Sequence, residues 1–244
     1  MTSLLRVFAL IATAATAAAG EYFRFDAPIG PDRRNATVHG YAFTERDETL
    51  RVIDLVEAKA PHMGDAFAAL GAQAGSNGGP TRADGQPLGL MIANRVKTGS
   101  LVTDSPEAAG LLRVQQGAIA LLHAATATPA EWEQADSLVQ GGPFLVEDGA
   151  ATPALDADRY TRRTVIVTSG TGEWAILYVP ATTLDSLAHM LADGKTFPRF
   201  HIATVLNLAG GTASGIWLQR ADGARSLYLR EIATGRNALA IIPK

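Results

Sequence analysis

Apolar and polar positions change period several times along the chain, and each change marks an element. Residues 37–43 and 50–56 alternate or run apolar around a charged stretch, which reads as two strands joined by a solvent-facing turn. After Pro61 the spacing becomes helical: Met63, Ala66, Phe67 and Leu70 fall at i, i+3, i+4 and i+7 before Gly71 stops the run. A strand over 72–76 then opens into a loop at Asn77-Gly78-Gly79, and further short strands are predicted over 88–92, 111–114 and 118–123. Thr128, Pro129 and Glu131 form a capping box with proline at the first helical position, predicting a helix over 129–139 that Gly141-Gly142-Pro143 ends. A strand over 144–147 turns at Asp148-Gly149, and residues 149–159, without a clean period, read as a loop or lid.

The second half is clearer. Runs at 164–168 and 174–179 flank Ser169-Gly170-Thr171-Gly172 and predict a hairpin. Thr182 with Asp185 opens a helix whose Leu184, Leu187, Ala188 and Leu191 form a stripe ended by Gly194. A strand over 203–208 meets Gly210-Gly211, followed by a strand over 214–218, a turn at Asp222-Gly223 and strands near 226–229 and 238–242. Strands do not alternate regularly with helices, which argues against a doubly wound parallel sheet. The pattern predicts a single α+β domain with a mixed or antiparallel β-sheet and a few helices packed on one side.

The first residues form a separate object. Arg6 precedes an apolar, alanine-rich run too short to span a bilayer, and Ala17-Ala18-Ala19 offers the small residues a signal peptidase accepts. Residues 1–20 therefore read as a secretory signal and 21–244 as the mature domain, secreted or periplasmic, with no transmembrane segment once the signal is removed. Apolar residues make up 47% of the chain, enough for an ordinary core, and cysteine is absent, which excludes disulfides, thiolate metal sites and a cysteine nucleophile. A formal charge of −3 with no basic block gives no reason to expect nucleic acid.

Candidate chemistry gathers at two glycine-backed loops that each follow a strand. If they meet, Asn77 and Asn207 supply amides, Gly78, Gly79, Gly210 and Gly211 supply backbone N–H groups, and Thr212 and Ser214 supply hydroxyls. That lining suits phosphate or sugar oxygens. The plain alternative is two turns whose asparagines cap their own backbone. Arg162 and Arg163 begin a strand, so at most one of them points into a given pocket, where it would offer a planar donor fork to an anionic oxygen. No lysine follows Gly210-Gly211-Thr212, so no nucleotide-type phosphate loop is present, and there is no GxSxG elbow. The five histidines never fall into a metal-binding spacing. No cofactor follows from the residues, and a divalent metal is possible only through convergence of groups distant in sequence. His201, before the 203–208 strand, is a better active-site neighbour than His189, which sits beside a helix's apolar stripe. Glu147, Asp148, Asp54 and Glu57 are candidate carboxylates, none marked by a partner at diagnostic spacing.

Taken together, these pieces resemble the phosphodiester glycosidase family. The resemblance rests on the Asp54 strand, Ser76-Asn77-Gly78-Gly79 with Pro87-Leu88-Gly89-Leu90, Gln140-Gly141-Gly142-Pro143 with Asp148-Gly149, Arg162-Arg163-Thr164, and Asn207-Leu208-Ala209-Gly210-Gly211. It implies an α+β fold and an exported glycan-phosphodiester hydrolase. Asn77, Gln140, Arg163, Asn207 and the glycines would line a pocket for a carbohydrate or sugar-phosphate, with Arg163 neutralising phosphate and Asp148 or Glu147 supplying acid or base. It also implies Asn-Leu-Asp-Gly-Gly at the last motif. Here the carboxylate position is Ala209, and a methyl cannot transfer a proton or attract a metal. Large aromatic residues expected after Asn-Gly-Gly are replaced by Pro80-Thr81. A catalytically inactive glycan- or phosphate-binding protein is the alternative.

Overall fold

Strand Glu173–Thr182 is apolar almost throughout because both of its faces are covered. Trp174, Ile176 and Tyr178 enter one core, while Ala175, Leu177 and Val179 enter another. Its neighbour Thr161–Thr168 divides the same way, Ile166 to one side and Val165 and Val167 to the other, and the two pair as the predicted hairpin with Ile166 opposite Ile176.

The computed structural model, which describes residues 20–219 and 226–244, sorts the strands into three sheets. The large sheet runs Glu21–Ala27, Ala36–Thr44, Glu173–Thr182, Thr161–Thr168, Thr204–Asn207, Phe144–Glu147 and Ala150–Ala151. The second runs Leu227–Leu229, Ile216–Leu218, Ala74–Asn77, Asn237–Pro243 and Glu48–Asp54; the third runs Val96–Thr98, Met91–Ala93, Ser137–Gly141, Gly110–Gln115 and Ala118–His123. Every pairing between these strands is antiparallel.

The fold is α+β, as the pattern predicts, but its architecture is not one sheet with helices on one side. All three sheets turn a face to a shared core that includes Tyr41, Leu50, Met91, Leu112, Ile176 and Leu239. Each outer face is then covered by its own helix: α1 (Met63–Ala69) on the second sheet, α2 (Pro129–Trp132) on the third and α3 (Leu184–Ala192) on the large one. Sequence periodicity shows that a strand has two apolar faces; it does not show which sheet receives each.

The two strands expected around the charged stretch are Ala36–Thr44 and Glu48–Asp54, and the turn between them carries the chain from the large sheet to the second. One local expectation is corrected. The helix predicted over 129–139 is only Pro129–Trp132, and Ser137–Gly141 is a strand whose Leu138 and Val139 enter opposite cores. The capping signal is real, since Glu131 accepts from the Thr128 amide at 2.7 Å and hydroxyl at 2.9 Å, but a cap specifies a start and not a length. The predicted turn at Asp222-Gly223 lies outside the described residues.

Helix α3 follows from its sequence, except that its cap is Thr183 and not the expected Thr182, whose hydroxyl donates to the Thr183 carbonyl. The Thr183 hydroxyl accepts from the Ser186 amide at 3.1 Å, Leu184, Leu187, Ala188 and Leu191 are buried, and Gly194 follows at φ 66°. Helix α1 is capped instead from far away: Glu231 accepts from the Met63 amide and Tyr228 Oη from the Gly64 amide, both at 3.2 Å.

Leu187 is fully buried between α3 and the large sheet. Leu187→Ala is expected to lower unfolding free energy by about 2–5 kcal/mol in urea denaturation. A loss below about 1 kcal/mol would contradict the packing described, since that is less than a buried leucine truncation costs.

Candidate functional site

Strands Ala74–Asn77 and Thr204–Asn207 belong to different sheets, yet the glycine loops that follow them meet. The Asn77 side chain joins them. Its Nδ2 donates to the Ala209 carbonyl at 2.8 Å and the Gly78 carbonyl at 3.2 Å, and its Oδ1 accepts from the Gly215 amide at 3.1 Å. The Ala209 amide returns a bond to the Gly78 carbonyl at 2.9 Å.

Several residues expected to bind substrate are therefore turned inward. Gly78 N–H donates to the Asn237 carbonyl at 3.1 Å and Gly79 N–H to Asn237 Oδ1 at 2.8 Å, so neither amide is free for an anion. A Cβ at Gly79 would overlap the Gln140 carbonyl, so this glycine answers to close packing. Gln140 uses its whole amide: Oε1 accepts from Leu90 and Val102, and Nε2 donates to the Val102 and Ala108 carbonyls. Buried Ser214 donates to the Arg162 and Ala209 carbonyls. Asn77, Gly78, Gly79, Gln140 and Ser214 support the site from beneath.

Above them lies a cleft of about 440 Å³ whose wall includes Arg163, Asn207, Ala209, Gly210, Gly211 and Thr212. Arg162 and Arg163 both reach the second glycine loop, and of the two only Arg163 lines the cleft. Arg162 clamps the loop through bonds of 3.1 Å to the Gly211, Thr212 and Arg230 carbonyls. Arg163, only 7% exposed, donates through Nη2 to the Arg159 carbonyl at 3.3 Å, and its Nε has no partner. No carboxylate among the described residues forms an ion pair with it. Burial pulls its guanidinium below the usual arginine range, against the opposing field of Asp156. Its Nη1 lies beside Gly210, where a Cβ would stand 3.1 Å away.

Asn207 adds a second unsatisfied group. Its Nδ2 donates to the Gly142 carbonyl at 2.7 Å while its Oδ1, buried, has no partner. Because the nitrogen must face that carbonyl, the atom left over is an acceptor. Two residues that line the cleft thus each carry a buried polar atom without a partner, a donor on Arg163 and an acceptor on Asn207.

Glu147 and Asp148 stand outside the cleft. Strand Phe144–Glu147 carries Glu147 about 13 Å along from Pro143 at the cleft wall, where it meets His123 Nε2 at 2.7 Å. Asp148 occupies the turn beyond, at φ 49°. His201 lies beside Gly149, also away from the cleft. Asp54 is engaged by Arg236 in two bonds of 2.7 and 2.8 Å within a separate hollow of about 600 Å³ beside α1. The carboxylates that do line the cleft are Glu107 and Asp156, with Arg82 and Arg159 near them. Asp156 Oδ1 accepts from the Arg159 and Asp158 amides, which hold its carboxyl below the usual carboxylate range. The sequence reads 149–159 as a loop or lid, and no motif there marks Asp156. Among the described residues no three His, Cys, Asp or Glu side chains gather to hold a metal.

Asn77→Ala should destabilise the protein by about 2–3 kcal/mol, because it strands buried carbonyl and amide groups of both loops. Urea denaturation checks this; a stability loss within about 0.5 kcal/mol, typical of an unimportant surface site, would show that the loops do not depend on the bridge. Gly79→Ala should also destabilise, through the Gln140 carbonyl, without touching the cleft wall.

Residues 70–238 match the phosphodiester glycosidase family. No curated protein matches the sequence. Among solved structures, the catalytic domain of zebrafish N-acetylglucosamine-1-phosphodiester alpha-N-acetylglucosaminidase, auto-inhibited by its pro-peptide, is similar at a TM-score of 0.61 and 16% identity, over 95% of this chain and 85% of that one. A hypothetical protein from Synechocystis is similar at 0.59 and 11% identity, over 93% of this chain and 62% of that one. A Burkholderia pseudomallei protein is similar at 0.53 and 11% identity, over 86% and 74%. At such identities these likenesses concern the fold, whereas the family match spans more than half the chain: the protein belongs to the phosphodiester glycosidase family.

Proposed function

We propose that the chain is an exported protein whose cleft takes a sugar-phosphate diester or a related envelope glycan. The observation that carries this reading is the pair of buried, unpartnered groups, Arg163 Nε and Asn207 Oδ1, on one cleft wall. Arg163 is suited to a phosphate oxygen, which would supply the negative charge that its surroundings lack. Asn207 Oδ1 is suited to a sugar hydroxyl, which can donate where a phosphate oxygen cannot. Gly210 leaves room beside the guanidinium for the ligand's approach.

Hydrolysis adds water across the bond between the sugar carbon and the phosphate oxygen, giving a free sugar and a phosphomonoester. That step requires a proton donor for the leaving oxygen and a base for the water. In this reading the work falls to Glu107 and Asp156, since Glu147 and Asp148 are elsewhere. Both roles fall to carboxylates because Asp156 and Glu107 line the cleft.

A second reading, binding without turnover, is favoured by Ala209. The residue occupies the position where the family resemblance implies aspartate, and it lies on the cleft wall near Arg163. Without that carboxylate, the guanidinium has the field of Asp156 but no ion-pair partner among the described residues, and the cleft lacks one acid or base.

Turnover of a panel of glycosyl phosphodiesters, with and without added divalent cations, separates the readings. Hydrolysis by the natural chain, reduced at least about tenfold in Glu107→Gln, supports the enzyme. Binding in calorimetry with turnover only in Ala209→Asp supports the binder. Neither binding nor turnover contradicts both. Arg163→Met should weaken binding of a hexose 1-phosphate by about 10- to 100-fold, the range for a lost charge-assisted hydrogen bond, with little change for the uncharged hexose.

A further inference from the structure

Among the described residues outside the cleft, the buried acidic groups all have a basic side chain beside them except one. Asp54 is held by Arg236, and Glu231 receives the Met63 amide and the Tyr228 hydroxyl with His62 at 3.6 Å. Glu48, 2% exposed, has no side-chain cation beside it among the described residues. Its Oε1 accepts from Tyr41 Oη at 2.8 Å, and its Oε2 accepts from the backbone nitrogen of Gly20 at 3.0 Å. A buried carboxylate served by neutral donors alone is costly, and burial here pushes the Glu48 carboxyl above the usual range.

The nitrogen at Oε2 belongs to an unusual residue. A Cβ on Gly20 would overlap Glu48 Oε2 and stand 2.5 Å from the Tyr41 ring, so only glycine fits with its nitrogen so close. Directly before it the sequence reads Ala17-Ala18-Ala19, the small-x-small pattern after which a signal peptidase cuts. Residues 1–20 read as the leader by sequence, whereas the hydrogen bond to Glu48 makes Gly20 part of the folded domain.

We infer that the Ala19–Gly20 bond is the processing site, and that the α-ammonium released on Gly20 is the cation that the Glu48 carboxylate and Tyr41 hydroxyl are arranged to receive. Water adds across the peptide bond, Ala19 leaves with the new carboxylate, and Gly20 gains the ammonium. A neutral amide with one N–H then becomes a charged group with three. The resulting ion pair ties the start of edge strand Glu21–Ala27 to the second sheet through Glu48. The inference rests on export and is independent of the chemistry in the cleft.

The test begins with the full chain made in an exporting host, its released form identified by intact mass and terminal sequencing; the expected first residue is Gly20. The α-amine is then titrated by the pH dependence of its acylation. Glu48 faces it from the second sheet's strand, with the charge of Asp47 in the turn before acting on Glu48, and Tyr41 faces it from the large sheet with its hydroxyl held neutral by burial. Burial alone would lower an amine's pKa, whereas pairing raises it, so the expected value lies at least about one unit above the free range near 8. In Glu48→Gln it should fall back by about one unit or more. A different first residue, a pKa at or below the free range, or no change in Glu48→Gln overturns the inference. If Glu48→Gln does not fold, the value in the natural chain decides alone.

Discussion

The site depends on one side-chain amide. Asn77 ends a strand of the second sheet, Ala209 follows a strand of the large sheet, and the Asn77 Nδ2 bond to the Ala209 carbonyl brings the two loops to one place. The Gly78 carbonyl and Ala209 amide close a second link, and Asn237 secures Gly78 and Gly79 from the opposite side. Those bonds consume the polar capacity of the first glycine loop. Arg163, Asn207 and the second loop line the cleft instead, with Glu107 and Asp156.

That division explains why Arg163 can remain buried without an ion pair. An uncompensated buried charge is expensive, and most such groups are neutralised by a neighbour. Here the guanidinium has one long bond to the Arg159 carbonyl, the field of Asp156 and an open cleft beside it. Ala209 supplies no charge where the related motif implies a carboxylate. An anionic ligand would complete the electrostatics of this wall, and a hydroxyl would complete Asn207.

Much of the fold was legible in the sequence because it depends on local patterns. The hairpin of Thr161–Thr168 with Glu173–Thr182 and helix α3 follow from two apolar runs around a glycine-containing turn, a threonine cap and a glycine stop. What the sequence withheld was which of several apolar faces pack together, since Trp174 and Ala175 are equally apolar but belong to different cores. The same limit governed the site. Asparagine and glycine announced that two loops carried more than packing, but not whether their polar groups faced a ligand or one another. Asn77 and Gln140 face inward, while Arg163 and Asn207 face the cleft. Glu107 and Asp156 had no motif to mark them, because the loops carrying them reach the cleft only after the strands have assembled.

The most direct measurement is a crystal structure of the protein soaked with a hexose 1-phosphate. The account predicts phosphate oxygens within hydrogen-bond distance of Arg163, including its Nε, and a sugar hydroxyl donating to Asn207 Oδ1. An empty cleft at saturating ligand, or a ligand bound with both groups still unpartnered, would contradict it.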